Sequence, residues 1–192
     1  MKITNPKDIE SFLPENNIKR EVLSEITPWL SEREIIVLLG ARQTGKTTLM
    51  FQIIKNLLLK NTIDEIYYFN LDFPDDKEFL KNPVKIVNLT LKNKLKKFIF
   101  IDEVQRIKDA GIYLKYLYDL SIPLKIIISG SGSLELKSKV SEPLTGRKIS
   151  FNISPFNIAE TKISLSHLLD SIKFKENQSL LFKKTFEYIT TY

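Results

Sequence analysis

Nine consecutive residues, Gly40-Ala41-Arg42-Gln43-Thr44-Gly45-Lys46-Thr47-Thr48, set two glycines, a lysine and a hydroxyl in the spacing G-x-x-x-x-G-K-[ST]. Glycines let a backbone curl until successive N–H groups point inward, and a lysine beside them adds a point charge. The chemistry this suits is the holding of a nucleotide triphosphate. Lys46 is expected to reach the β- and γ-phosphates, Thr47 to offer its hydroxyl to Mg²⁺, and Thr48 to help hold the α-phosphate. Arg42, inside the loop, faces either a phosphate or solvent.

Further along, Phe98-Ile99-Phe100-Ile101 is followed at once by Asp102-Glu103. Four apolar residues and then two acids place carboxylates at the finishing end of a buried strand, beside the loop in sheets of this kind. Asp102 is expected to hold Mg²⁺, directly or through water, and Glu103 to orient and deprotonate an attacking water. Transfer of a phosphoryl group to a metabolite needs no such second acid, so the pair favours hydrolysis of ATP. Ile126-Ile127-Ile128-Ser129-Gly130-Ser131 ends another apolar run in hydroxyls. Ser129 either senses the γ-phosphate and its water or belongs to a simple turn.

These residues need a scaffold that brings several strand ends to one edge. Ile35 to Leu39 is a continuous aliphatic run ended by Gly40, the pattern of a strand buried on both faces. Similar runs recur at 66–69, 98–101 and 126–128, with a fifth strand expected at 149–153. Helical periods fall between them at 47–60 and 110–120, and a weaker helix at 83–94 begins with Asn82 as cap and Pro83 at the first position. An earlier helix is expected over 18–30, with Pro28 in its last turn. Alternating strands and helices predict a three-layer α/β fold around a mainly parallel sheet. The expected divisions are a helical lead-in over 1–33, a nucleotide-binding core over 34–157, and the start of a helical C-terminal region over 158–192.

The chain has 192 residues, 43% of them hydrophobic and 27% charged, enough for one full core and a short appendage. It contains no cysteine, which excludes disulfides and thiol chemistry. No apolar run approaches the ~20 residues of a membrane helix, so a cytoplasmic protein with no membrane partner is expected. The net charge of +6 owes much to Lys92, Lys94, Lys96 and Lys97. That run either touches nucleic-acid phosphates or is a solvated face, and it lacks the interleaved aromatics that stack on bases. His167 has no Cys, His or acidic set at ligand spacing, so it reads as a surface residue.

Taken together, these segments resemble the prokaryotic AAA-type ATP-binding proteins whose ATPase domain is usually followed by a C-terminal domain of unassigned function. The likeness runs from about Glu34 to Glu160. It is carried by the loop 40–48, Asn70-Leu71-Asp72, Asp102-Glu103-Val104-Gln105-Arg106, Ser129-Gly130-Ser131, Leu144-Thr145-Gly146-Arg147 and Ser154-Pro155-Phe156. The resemblance implies a P-loop NTPase sheet of the additional-strand type, order 5-1-4-3-2, and a sensor role for Ser129, where many members carry Thr. It also implies that Arg147 is the family's arginine near the γ-phosphate, in its own chain or a neighbour's, the other reading being a backbone or carboxylate partner within its own domain. Asp72 and Gln105 match family positions without a chemical step of their own. Such proteins commonly run on for as much again, so this chain looks like a short or fragmentary member. The expected partners are accordingly ATP, further copies of the chain in a homo-oligomer, and a protein met through the C-terminal region. A nucleotide-operated switch with little turnover and a DNA-associated ATPase stand as alternatives to an ordinary ATPase.

Overall fold

Strand β2 (Ile35–Gly40) shows how the layers arise. Side chains alternate across a strand, so its run of buried residues is shared between two faces. Ile36 and Leu38 enter one core with Leu49, Phe51, Ile53 and Ile54 of helix α2, whereas Ile35, Val37 and Leu39 enter a second with Leu80, Ile86, Leu114 and Leu117. Phe98 and Phe100 of β4 face the first core, Ile99 and Ile101 the second. Two separate cores on one sheet make the three-layer α/β architecture that the sequence predicts. In this computed structural model the described residues are 1–14, 17–60, 65–131, 142–157 and 160–161.

The sheet has six strands in the order β1-β3-β4-β5-β2-β6, with β1 Lys2–Ile3, β3 Glu65–Asn70, β4 Lys97–Asp102, β5 Leu124–Ser131 and β6 Lys148–Asn152. All pairings are parallel except β1 with β3. Counted among themselves, the five parallel strands run 5-1-4-3-2, and the antiparallel edge strand β1 is an addition that the sequence did not announce. The lead-in therefore contributes to the sheet. It also supplies a 3-10 helix, Pro6–Phe12, whose Ile9 is buried in the first core.

The helices are α1 Val22–Ile26, α2 Lys46–Leu59, α3 Pro74–Leu80, α4 Pro83–Leu91 and α5 Ala110–Asp119. The helix expected over 18–30 is only five residues of α-helix, continued as a 3-10 turn over Thr27–Leu30. Pro28 has no N–H to give to Ser24, which ends the α-helical ladder there. Asn82 caps α4 as expected, accepting from the Val84 N–H at 2.9 Å, but the helix stops at Leu91. Helix α3 was not foreseen. The expected C-terminal region, with His167, lies outside the described residues apart from Glu160 and Thr161.

The lysine run divides. Lys92 and Lys94 are exposed, but Lys97 is 0% exposed and paired with Glu65 at 3.1 Å, and Lys96 reaches the Leu30 carbonyl and lies over the Phe98 ring. Two of the four lysines are thus engaged by the chain itself. Among the described residues no helix is long and apolar enough to cross a membrane.

Candidate nucleotide site

Because the five long strands are parallel, their last residues gather at one edge: Gly40, Asn70, Asp102, Ser131 and Asn152. The chain leaves β2 there through residues 41–45 and turns into α2. Gly40 is required by space: a Cβ would collide with the Ile153 carbonyl and stand 2.7 Å from Thr44 Oγ1. Gly45 is required by conformation, at φ +81°. Gln43 also sits at positive φ, 63°. Ala41, Arg42 and Gln43 are exposed at the crest, Thr44 is buried beneath it, and Thr48 lies partly buried in the first turn of α2. Gly45, the cap residue of α2, gives no side-chain acceptor, so the helix begins with N–H groups directed at the loop.

Lys46 is 6% exposed, and its Nζ donates to the carbonyls of Gly40 at 3.1 Å and Ala41 at 2.6 Å. Burial pushes its ammonium below the usual lysine range, against the opposing pull of Glu103 and Asp102. Both acids are therefore close enough to be felt inside the loop.

Asp102, 2% exposed, is the hub. Its Oδ2 accepts from Thr47 Oγ1 at 2.6 Å and from the Tyr68 hydroxyl at 3.0 Å. Its Oδ1 accepts from Ser129 Oγ and from the Glu103 N–H at 3.1 Å. The Ser129 oxygen in turn lies 3.4 Å from the Glu103 nitrogen. Thus Lys46, Thr47, Asp102, Glu103 and Ser129, named from three separate stretches of chain, come together. Tyr68 was missed. It stands near the end of β3, where its apolar ring is buried against Phe51, and burial first and Asp102 second push its hydroxyl well above the ordinary range.

Glu103 has φ 58°, ψ 44°, a left-handed conformation costly for a residue with a Cβ. The bend turns the chain straight from β4 into a 3-10 helix, Val104–Arg106. The Glu103 carboxylate accepts from Gln105 Nε2, and Arg106 pairs with Asp72 at 3.1 Å, so both sequence positions left without a role have partners.

Arg147 does not join this group. It precedes β6, and its carbonyl accepts from the N–H of Ile35, the first residue of β2. Ile35 and Gly40 are the two ends of that strand, roughly 17 Å apart at the rise of a parallel strand. Its Nε donates to Asp119 Oδ1 at 2.9 Å, beside the Tyr118 ring. Within its own chain Arg147 has the carboxylate partner that was the alternative reading, at the opposite edge of the sheet from the loop.

Thr47 and Asp102 present a hydroxyl and a carboxylate side by side, hard oxygen donors of the kind Mg²⁺ takes one or two of while keeping water. Among the described residues no group of three or more His, Cys, Asp or Glu gathers to hold a metal.

A glycine-framed loop between a central strand and a helix, facing an acid on the strand two places away, defines the class of P-loop NTPases. The AAA domain family matches residues 32–162, well over half of the chain, and the chain belongs to that family. It is 30% identical over 146 residues to the uncharacterized protein MJ1544 of Methanocaldococcus jannaschii, covering 74% of this chain and 30% of that protein. With MJ1637 of the same organism it shares 32% identity over 165 residues, 81% and 34% of the two chains. With Rv2008c of Mycobacterium tuberculosis it shares 33% over 130 residues, 67% and 27%. The chain thus spans about a third of the length of the curated relatives it matches. In fold it is similar to the Aeropyrum pernix ORC1 protein solved with DNA, at TM-score 0.61 and 11% identity over 85% of this chain and 52% of that one. Hsp104 with ATPγS and FITC casein gives TM-score 0.61 and 15% identity over 88% and 32%. PCH-2 of C. elegans gives 0.54 and 19% over 91% and 53%. At these identities the likeness is one of fold.

Proposed function

We propose that the chain binds ATP with Mg²⁺ at the loop 40–48 and hydrolyses it to ADP and phosphate. The observation that carries the reading is the 2.6 Å bond between Thr47, in the first turn of α2, and Asp102, at the end of β4, with Glu103 the next residue. Backbone N–H groups of the loop and the start of α2 would hold the phosphates, with Lys46 leaving its two loop carbonyls to neutralise the β- and γ-oxygens. Thr47 and Asp102 would hold Mg²⁺, which neutralises charge on the phosphates. Glu103 takes a proton from water as the water oxygen bonds to the γ-phosphorus and the bond to the ADP oxygen breaks. Ser129, bonded to Asp102 and near the Glu103 nitrogen, keeps the two acids in register.

The proposed core is 34–157, with the chain beyond it the start of a separate region. Arg147 would act only on a neighbouring copy, because it lies at the far edge of its own sheet. The nucleotide-operated switch with slow turnover is favoured by one contact, the hold of Gln105 on the Glu103 carboxylate. Calorimetric titration and phosphate release test both readings. Lys46→Ala should lower ATP affinity at least about 100-fold, and Glu103→Gln should keep affinity while slowing turnover roughly 10²- to 10⁴-fold. Unchanged affinity in folded Lys46→Ala refutes the loop assignment. Wild-type binding without measurable turnover selects the switch.

A further inference from the structure

Just before α1 the lead-in carries a buried arginine that none of the motifs accounts for. Arg20 is 5% exposed, and its guanidinium serves three stretches of chain. Nη1 donates to the Thr44 carbonyl in the loop at 2.9 Å, Nη2 to the Ser154 carbonyl beyond β6 at 2.6 Å, and Nε to Glu160 Oε1 at 3.0 Å. The Phe156 ring lies 4.6 Å from it, and Nη1 stands 3.3 Å from where a Cβ on Gly45 would project. Glu160 is itself fixed, accepting from the N–H groups of Glu21 at 2.9 Å and Asn157 at 3.0 Å. Burial pushes its carboxyl up, but those two N–H groups and the guanidinium outweigh it and hold the group below its usual value.

A buried ion pair is a costly way to join segments, and apolar residues of similar volume often do so as well. What a guanidinium adds is direction, since its donors lie in a rigid plane. The atom it holds in the loop is a carbonyl, and in a planar trans peptide the C=O and the following N–H point opposite ways. Fixing the Thr44 carbonyl toward Arg20 therefore turns the Gly45 N–H away from Arg20. Gly45 is the residue at which the loop becomes helix α2, at φ +81°, and without a Cβ its backbone has other conformations open to it unless something holds the peptide.

We propose that Arg20 is a positioning residue of the phosphate loop, holding the Thr44–Gly45 peptide so that the Gly45 N–H faces the nucleotide, with Glu160 locking the guanidinium in place. The inference rests on the ATP-binding reading above. The test titrates ATP into the full chain and its Arg20→Lys, Glu160→Gln and double variants, with melting temperature recorded for each. Lysine keeps the charge but loses the fork, so Arg20→Lys should weaken ATP binding about tenfold. Glu160→Gln keeps the shape and should weaken it about threefold, and the double variant should be no weaker than Arg20→Lys, because Glu160 acts through Arg20. A lower melting temperature with unchanged affinity in the folded variants overturns the proposal, and so do additive losses. Should Arg20→Lys not fold, Glu160→Gln decides alone, by a threefold loss or none. If Lys46→Ala loses ATP and Glu160→Gln and Arg20→Lys do not, the ATP site stands and this inference falls. Failure of the wild-type chain to bind ATP removes both.

Discussion

The two ends of the same sheet bury charge in different ways. Where the strands begin, each buried lysine is closed off by the protein: Lys97 by Glu65, Asn93 and the Leu95 carbonyl, and Lys125 by the carbonyls of Glu32 and Glu34. Where they finish, the charges converge on a loop whose crest is exposed, and Lys46 rests on carbonyls that an anion could replace. Buried charge alone therefore marks no site. What the proposed site adds is convergence on a glycine-framed loop.

Four measurements break or sharpen this contrast. Lys97→Met should destabilise the fold most, on the order of 2 kcal/mol by denaturant unfolding, because Asn93 and the Leu95 carbonyl lose their donor and Glu65 keeps only the exposed Lys2 as an ion-pair partner. Its ATP affinity should stay within about twofold, since the site is at the other end. A large loss of affinity would mean that the two ends are coupled. Tyr68→Phe should do the reverse. Removing the donor to Asp102 should raise the Mg²⁺ concentration needed for half-maximal turnover roughly tenfold, at a stability cost of about 1 kcal/mol.

The third measurement is pH dependence. The hydrogen bond from Lys2, against burial and with help from Lys97, draws Glu65 down from 4.5 to about 2. The unfolded chain binds the proton first, so the stability that Glu65 contributes is present above pH 4.5 and lost as pH falls toward 2. Glu65→Gln should flatten acid unfolding in that window. Smallest of all is Tyr113→Phe. The Tyr113 hydroxyl is buried with no hydrogen-bond partner among the described residues, so its removal should change stability by no more than about 1 kcal/mol, in the neutral or stabilising direction.

The parts legible in the sequence were those written locally. The loop and the Asp102-Glu103 pair are contiguous, and β2, β4 and β5 show as apolar runs because both faces are buried. Tyr68 and Arg20 were not legible, since their partners lie 34 and 140 residues away and nothing near either residue names them. Arg147 was visible as part of a motif, but only the pairing of Ile35 with Lys148 fixes it at the strand starts. Helix α3 had a signal, Phe73-Pro74-Asp75-Asp76 with proline and acids in the first turn, but seven residues are too few to show a helical period. The 3-10 turn at 27–30 follows from Pro28, whose missing N–H breaks the α-helical ladder that the apolar spacing over 18–30 suggests.

The position of β2 between β5 and β6 also orders events in time. Ile36 pairs with Ile127 on one side and Ile149 on the other, so the strand that feeds the phosphate loop has no sheet neighbour until residues far along the chain exist. Pairings so distant in sequence are slow to close. On a ribosome adding about 5–20 residues per second, β2 waits several seconds after synthesis for its second neighbour. During that wait its aliphatic side chains need shelter, and a nucleotide meeting the nascent loop finds no Asp102 in place until β5 has joined β4 to β2.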